Sequence, residues 1–166
     1  MYKTVFDLDG VMRNLMSYLH KKYKIPLHPD TYWWTYKNKD IYDWAKYDNY
    51  GICRNSPVTK YYKTIKKYFP EPEIWTHQPK DWQKPTSIWL DRHFDSYIVR
   101  FLNGEQKRKR LDKYKDILLV EDSPNFTHYN RIILIDDLLN KHIKNVPRVK
   151  NVKELKQIFE KHEKRT

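Results

Sequence analysis

Residues 117–140 read ILLVEDSPNFTHYNRIILIDDLLN. Two short apolar runs, ILLV (117–120) and IILI (132–135), each end in an acidic pair, Glu121-Asp122 and Asp136-Asp137. A continuous apolar run bounded by turn residues fits a strand buried on both faces of a parallel sheet. Carboxylates at the carboxyl end of such a strand sit where open α/β sheets place their chemistry. Either pair is therefore a candidate site, and the rest of the chain has to decide between them.

Upstream, strand and helix patterns alternate. EIWT (73–76) and SYIVRFL (96–102) read as strands. Residues 83–94 and EQKRKRLDKY (105–114) read as helices, and VKELKQIFEKHEKR (152–165) as a terminal amphipathic helix. Alternation of this kind predicts a doubly wound parallel sheet with helices on both faces. Tyr2 to Leu8 supplies one more strand, and helical spacing follows over 11–24. The stretch between the first two core strands is different. TYWWTYKNKDIYDWAKYDNYG (31–51) is aromatic and polar without strand alternation, so helix and loop are expected there. VTKYYKTIKKYF (58–69) is expected as a helix with Ser56-Pro57 at its start. The domain reading is thus an α/β core of residues 1–14 and 72–166, with a small helical cap inserted as residues 15–71.

Composition bounds the function. The chain has 166 residues, 39% of them hydrophobic and 16% aromatic, enough for a packed core. Thirty-three Lys and Arg against twenty-one Asp and Glu give a formal charge of +12. Such a field attracts nucleotides, nucleic acid or acidic membrane faces. Lys, Tyr, Asn and Ile are abundant together, however, as AT-rich coding would make them, so charge alone does not choose. One cysteine, Cys53, excludes an internal disulfide or a cysteine-based metal site. The chain opens directly on a strand pattern and has no apolar run of membrane-spanning length, so a cytoplasmic protein without a membrane partner is expected. His77 and Gln78 follow Thr76 in a loop at a strand end and are expected to line the site, whereas the other six histidines show no ligand spacing.

FDLDGVMRN (6–14) carries the strongest local signal. Asp7 and Asp9 flank one residue at a strand end, and Gly10 lets the backbone turn where a side chain would clash. Two adjacent acids can divide the roles of nucleophile and general acid, or can bind Mg²⁺ through hard oxygens.

Asp7-Leu8-Asp9-Gly10-Val11 resembles the first motif of the haloacid dehalogenase-like (HAD) phosphohydrolases, and the chain more narrowly resembles their 5'(3')-deoxyribonucleotidase group. The order of later features is similar: a helical insertion after the first strand, Thr76 ending the second, Lys107 in a later helix, and Glu121-Asp122 ending a fourth strand. That group carries an acid where this chain has Asn14, and Asp-Asp where it has Glu121-Asp122. The resemblance implies a Mg²⁺-dependent phosphatase acting on a small phosphate monoester, a nucleoside monophosphate above all. It implies that Asp7 attacks phosphorus to form an aspartyl-phosphate, and that Asp9 protonates the leaving oxygen and later activates water. Mg²⁺ would be held by Asp7, the Asp9 carbonyl and Asp122, with Glu121 in support. Thr76 and Lys107 would bind phosphate oxygens, with Lys109 the alternative to Lys107. Glu121-Asp122 is then the metal pair, and Asp136-Asp137 is expected to cap a helix. The aromatics Tyr32, Trp33, Trp34, Tyr36, Trp44 and Tyr47 either stack on a base or form the cap's own core. Two rivals remain: a polynucleotide 3'-phosphatase of the same superfamily, and a catalytically silent basic protein that binds nucleic acid.

Overall fold

Strand β1 (Lys3–Phe6) lies inside a six-stranded sheet, hydrogen-bonded on one side to β4 (Glu73–Thr76) and on the other to β6 (Ile117–Glu121). The sheet is completed by β5 (Ile98–Phe101), β7 (Ile132–Ile135) and β8 (Arg148–Val149), in the order β5-β4-β1-β6-β7-β8, and every pairing is parallel. The computed structural model describes residues 2–24, 35–36, 39–40, 48–137, 140, 143–144, 146 and 148–163.

Period-2 alternation sorts the strand side chains onto two helix-covered faces. Phe6, Ile74, Leu118, Val120, Ile133 and Ile135 pack on one face with Trp89, Leu90, Leu155 and Phe159. Val5, Trp75, Ile117, Leu119 and Ile132 pack on the other with Leu111 and Phe126. The first face is covered by α3 (Tyr62–Tyr68), α4 (Lys80–His93) and α6 (Val152–Glu163), the second by α5 (Gly104–Lys113). This is the doubly wound α/β architecture expected from the alternation. From β1 the chain steps to β4 and β5 on one side, then crosses back to β6, β7 and β8 on the other. The order reverses around β1, so a crevice is expected at the carboxyl ends of β1, β4 and β6.

Between β1 and β4 lie α1 (Leu15–Tyr23), a two-stranded antiparallel ribbon of β2 (Thr35–Tyr36) and β3 (Lys39–Asp40), α2 (Asn49–Asn55) and α3. The ribbon falls where only helix and loop are expected. The end of this stretch packs on the sheet. Tyr61 and Ile65 join the same cluster as Phe6, and Phe69 meets Phe159 edge-on at 4.9 Å. Leu15, Leu19, Ile52 and Cys53 form a smaller cluster with Trp82 of α4. Five of the six aromatics expected to face a base or the cap interior, Tyr32, Trp33, Trp34, Trp44 and Tyr47, lie outside the described residues.

Two helix starts differ from the sequence reading. The turn after Gly10 uses residues 11–14, with Gly10 N–H bonded to the Arg13 carbonyl, so α1 begins only at Leu15, capped by Asn14 Oδ1 accepting from Ser17 N–H at 3.0 Å. Ser56-Pro57 closes α2 instead of opening α3, since the Ser56 N–H and hydroxyl both donate to the Ile52 carbonyl. No helix among the described residues is long and apolar enough to cross a membrane.

Candidate metal centre

Asp7 follows β1, Thr76 ends β4, Glu121 ends β6 and Asp122 comes next, so the topology alone brings four of the singled-out residues to one crevice. Asp7, Glu121 and Asp122 are all buried, and each offers a carboxylate oxygen within 4.8 Å of the others. Gly10 makes this approach possible. Its φ is +79°, and a Cβ there would lie 1.9 Å from Asp122 Oδ2, so the first turn packs its bare backbone against the carboxylate. The Asp122 carbonyl is fixed from the far side by Asn140 Nδ2 at 2.7 Å.

Lys107 is 4% exposed and reaches into this cluster from α5. Its ammonium lies 2.6 Å from Asp7 Oδ1 and 2.9 Å from Glu121 Oε2, with the Phe126 ring 5.5 Å away. A capping box between Asn103 and Gln106 sets the start of α5. That phase puts Lys107 and Leu111, four residues apart, on the buried face. Lys109 points to solvent and pairs with Glu105. The structure thus places Lys107, not Lys109, in the site.

Burial and Glu121 push the Asp7 carboxyl up to about 7 against the pull of Lys107. Burial, with Glu121 and Asp7, drives Asp122 well above the usual carboxylate range. Burial alone would lower Lys107, but Asp7 and Glu121 outweigh it and keep the ammonium charged. Burial is the larger cause, and a shortage of positive charge adds to it: three carboxylates face one ammonium. The deficit equals the charge of one divalent cation, and an all-carboxylate oxygen set suits a hard one.

Asp9 stands apart from this cluster. Both its oxygens accept from Arg13, Oδ1 from Nε at 2.6 Å and Oδ2 from Nη2 at 2.8 Å. Gln78 Nε2 adds a third bond to Oδ2 at 2.6 Å, and the same nitrogen reaches the Thr76 hydroxyl at 3.2 Å. One amide therefore ties the end of β4 to the first turn. Gln78 was expected only as a lining residue beside His77. His77 lies at the surface, and partial desolvation of its ring, together with the charge of Lys107, lowers its basicity.

Arg13 is the residue the sequence reading missed. It is wholly buried, although a polar position in a helical pattern ordinarily faces water. Its spacing of four from Asp9 was the available signal. The other acidic pair is used differently: Asp136 accepts from Arg148 Nη1 at 2.6 Å, and Arg148 also holds Asn140 Oδ1 at 2.7 Å. Residues 138–139, where a capped helix is expected, lie outside the described residues.

The chain matches no known family profile and no curated protein sequence. The functional reading therefore rests on the site itself.

Proposed function

We propose that the protein is a Mg²⁺-dependent phosphatase of the HAD type, hydrolysing nucleoside monophosphates through an aspartyl-phosphate on Asp7. The observation that carries this reading is the convergence of Asp7, Thr76, Lys107, Glu121 and Asp122 at the switch point, with three carboxylates at metal-binding spacing and Asp9 joined to Thr76 through Gln78. Asp7, Asp122 and Glu121 would hold the cation, with the Asp9 carbonyl completing the set. The ion would supply positive charge for the phosphoryl oxygens.

The remaining chemistry belongs to side chains. Asp7 attacks phosphorus with one carboxylate oxygen, forming the O–P bond as the bond to the leaving oxygen breaks. Asp9, carrying a proton taken from the monoanion of the entering monoester, delivers it to that leaving oxygen. Water then gives a proton to Asp9 and attacks the same phosphorus, releasing phosphate and restoring Asp7. Lys107, bonded to Asp7 Oδ1, and the buried Thr76 hydroxyl would neutralise and orient the phosphoryl oxygens.

The charge of +12 favours one second reading, a phosphatase acting on 3' ends of nucleic acid. Phosphate release from mononucleotides and from 3'-phosphorylated oligonucleotides, with and without Mg²⁺, tests both. Mononucleotides should give the higher kcat/KM, with little loss between low and moderate salt. A polymer held by many lysines would lose affinity steeply. Asp7→Asn should abolish turnover with every substrate. Turnover of that variant near wild type would sink the covalent mechanism.

A further inference from the structure

Asp9 is held by an apparatus larger than a metal-site carboxylate needs. The Arg13 guanidinium grips both of its oxygens in a planar fork, at 2.6 and 2.8 Å. That guanidinium is itself immobilised. Nη1 donates to Thr86 Oγ1 of α4 at 3.1 Å and to the Cys53 carbonyl of α2 at 3.3 Å, and the Trp89 ring lies 5.8 Å from Cζ. Asp9 outweighs the burial that would otherwise lower Arg13, so the guanidinium stays charged. On the opposite side, Gln78 must present Nε2 to the carboxylate, since its oxygen at 2.6 Å would repel. In that orientation Gln78 Oε1 is buried with no hydrogen-bond partner among the described residues. The amide forgoes one bond to keep its grip on Asp9.

We propose that Arg13, seconded by Gln78, is a positioning residue that sets the plane and rotamer of the Asp9 carboxylate for proton transfer to the leaving oxygen. The proposal rests on the phosphatase reading above. Asp9 alone could rotate about two side-chain bonds, while a fork clamped by α2, α4 and the Trp89 face leaves one orientation. Lysine cannot reproduce this, because an ammonium is a point charge without a plane. Through Cys53 the clamp also ties Asp9 to the inserted stretch.

The test uses the full chain with Mg²⁺ and two monoesters that share a phosphoryl group. 4-Nitrophenyl phosphate expels a phenolate that needs no proton, whereas a nucleoside 5'-monophosphate expels an alkoxide that does. First-turnover rates isolate the step in which the ester bond breaks. Arg13→Lys should slow the nucleotide by about 100-fold, the scale of a small misplacement of a reacting group. It should slow the aryl ester less than about 10-fold, which is no more than the rate effect of one 1.4 kcal/mol step. In an Asp9→Asn background, Arg13→Lys should cost nothing further, since its effect runs through Asp9. Gln78→Leu should show the same leaving-group pattern, and it carries the test should Arg13→Lys fail to fold. Equal losses on the two esters, or a full additional loss in the Asp9→Asn background, overturn the positioning role alone. A wild-type chain that releases phosphate from neither ester overturns the phosphatase reading, and this proposal with it.

Discussion

Mg²⁺ should stabilise this protein in a pH-dependent way, and the size of the effect can be worked from Asp7. In the folded chain the Asp7 carboxyl is raised from 3.8 to about 7. The folded state then holds this proton more tightly than the unfolded chain does. Stability is fullest below the unfolded value and falls as pH climbs through the folded one. A shift of that size corresponds to a loss on the order of 4 kcal/mol between pH 4 and pH 8. For a domain of this length that is roughly 10 °C of Tm. Asp122, shifted in the same direction, adds to the fall. A divalent cation replaces the protons, so it should restore little at pH 5 and much at pH 8. At 100 times its Kd, about 2.7 kcal/mol returns, or roughly 5–10 °C.

The assay is thermal unfolding at pH 5 to 8, with Mg²⁺ and with chelator. The difference between the two curves at each pH cancels groups far from the ion. His93, stacked on Trp89 and lowered by burial, is one such group and by itself pushes stability up over this range. Asp122→Asn removes one of the crowded charges. Its chelated form should lose less stability with rising pH than wild type, and its Mg²⁺ response should nearly vanish. Asp136→Asn leaves all three carboxylates of the candidate site in place and should keep the response. A wild-type Tm indifferent to Mg²⁺ at pH 8, or a larger response lost in Asp136→Asn than in Asp122→Asn, would refute the assignment of the metal pair.

Gly10→Ala should cost about 1–3 kcal/mol from the left-handed backbone and should also weaken the Mg²⁺ response, because the new methyl would displace the Asp122 carboxylate; a wild-type melt and Mg²⁺ titration would show that the turn is not packed this way. Glu73→Gln probes the opposite sign at the other end of the sheet. Burial would raise Glu73, but hydrogen bonds from Lys3, Trp75 and Arg100 outweigh it and lower the carboxyl to about 2. The stability it contributes is complete above its ordinary value of 4.5 and is lost as pH falls toward 2, so the gap between wild type and variant should close over that window in acid unfolding.

The sheet was legible because its strands are short, apolar and bounded by turns. Those at 73–76, 98–101, 117–121 and 132–135 lie where the pattern puts them. β8 was not, since Arg148-Val149 is too short for any period to register. The acids of the site were legible as residues at strand ends, and their convergence follows from strand order, which the sequence does not spell out. Lys107 could not be separated from Lys109 by charge. It could have been by phase, given Asn103 and Gln106 as a capping box and Leu111 one turn later. Arg13 was missed for a physical reason: hydropathy sends a guanidinium to water, and its spacing of four from Asp9 was the one sign of the partner that keeps it inside. Asn14, which stands where the resembled group carries an acid, serves here as the cap of α1.

The overall charge of the chain and the local charge of its site have opposite signs, and this decides the order in which ligands can bind. The field of +12 draws anions toward the molecule. At the crevice, three buried carboxylates and one lysine leave an excess of negative charge, and the Asp9 charge is already matched by Arg13. A phosphate group arriving at the metal-free site would meet repulsion in a place with little water to screen it. Two protons or one divalent cation remove the obstacle, but protons also block Asp7 as a nucleophile. Only the cation leaves Asp7 ionised and the site open to an anion. On the proposed reading, metal binding therefore precedes substrate binding, and the basic surface acts on the substrate only after the ion is in place.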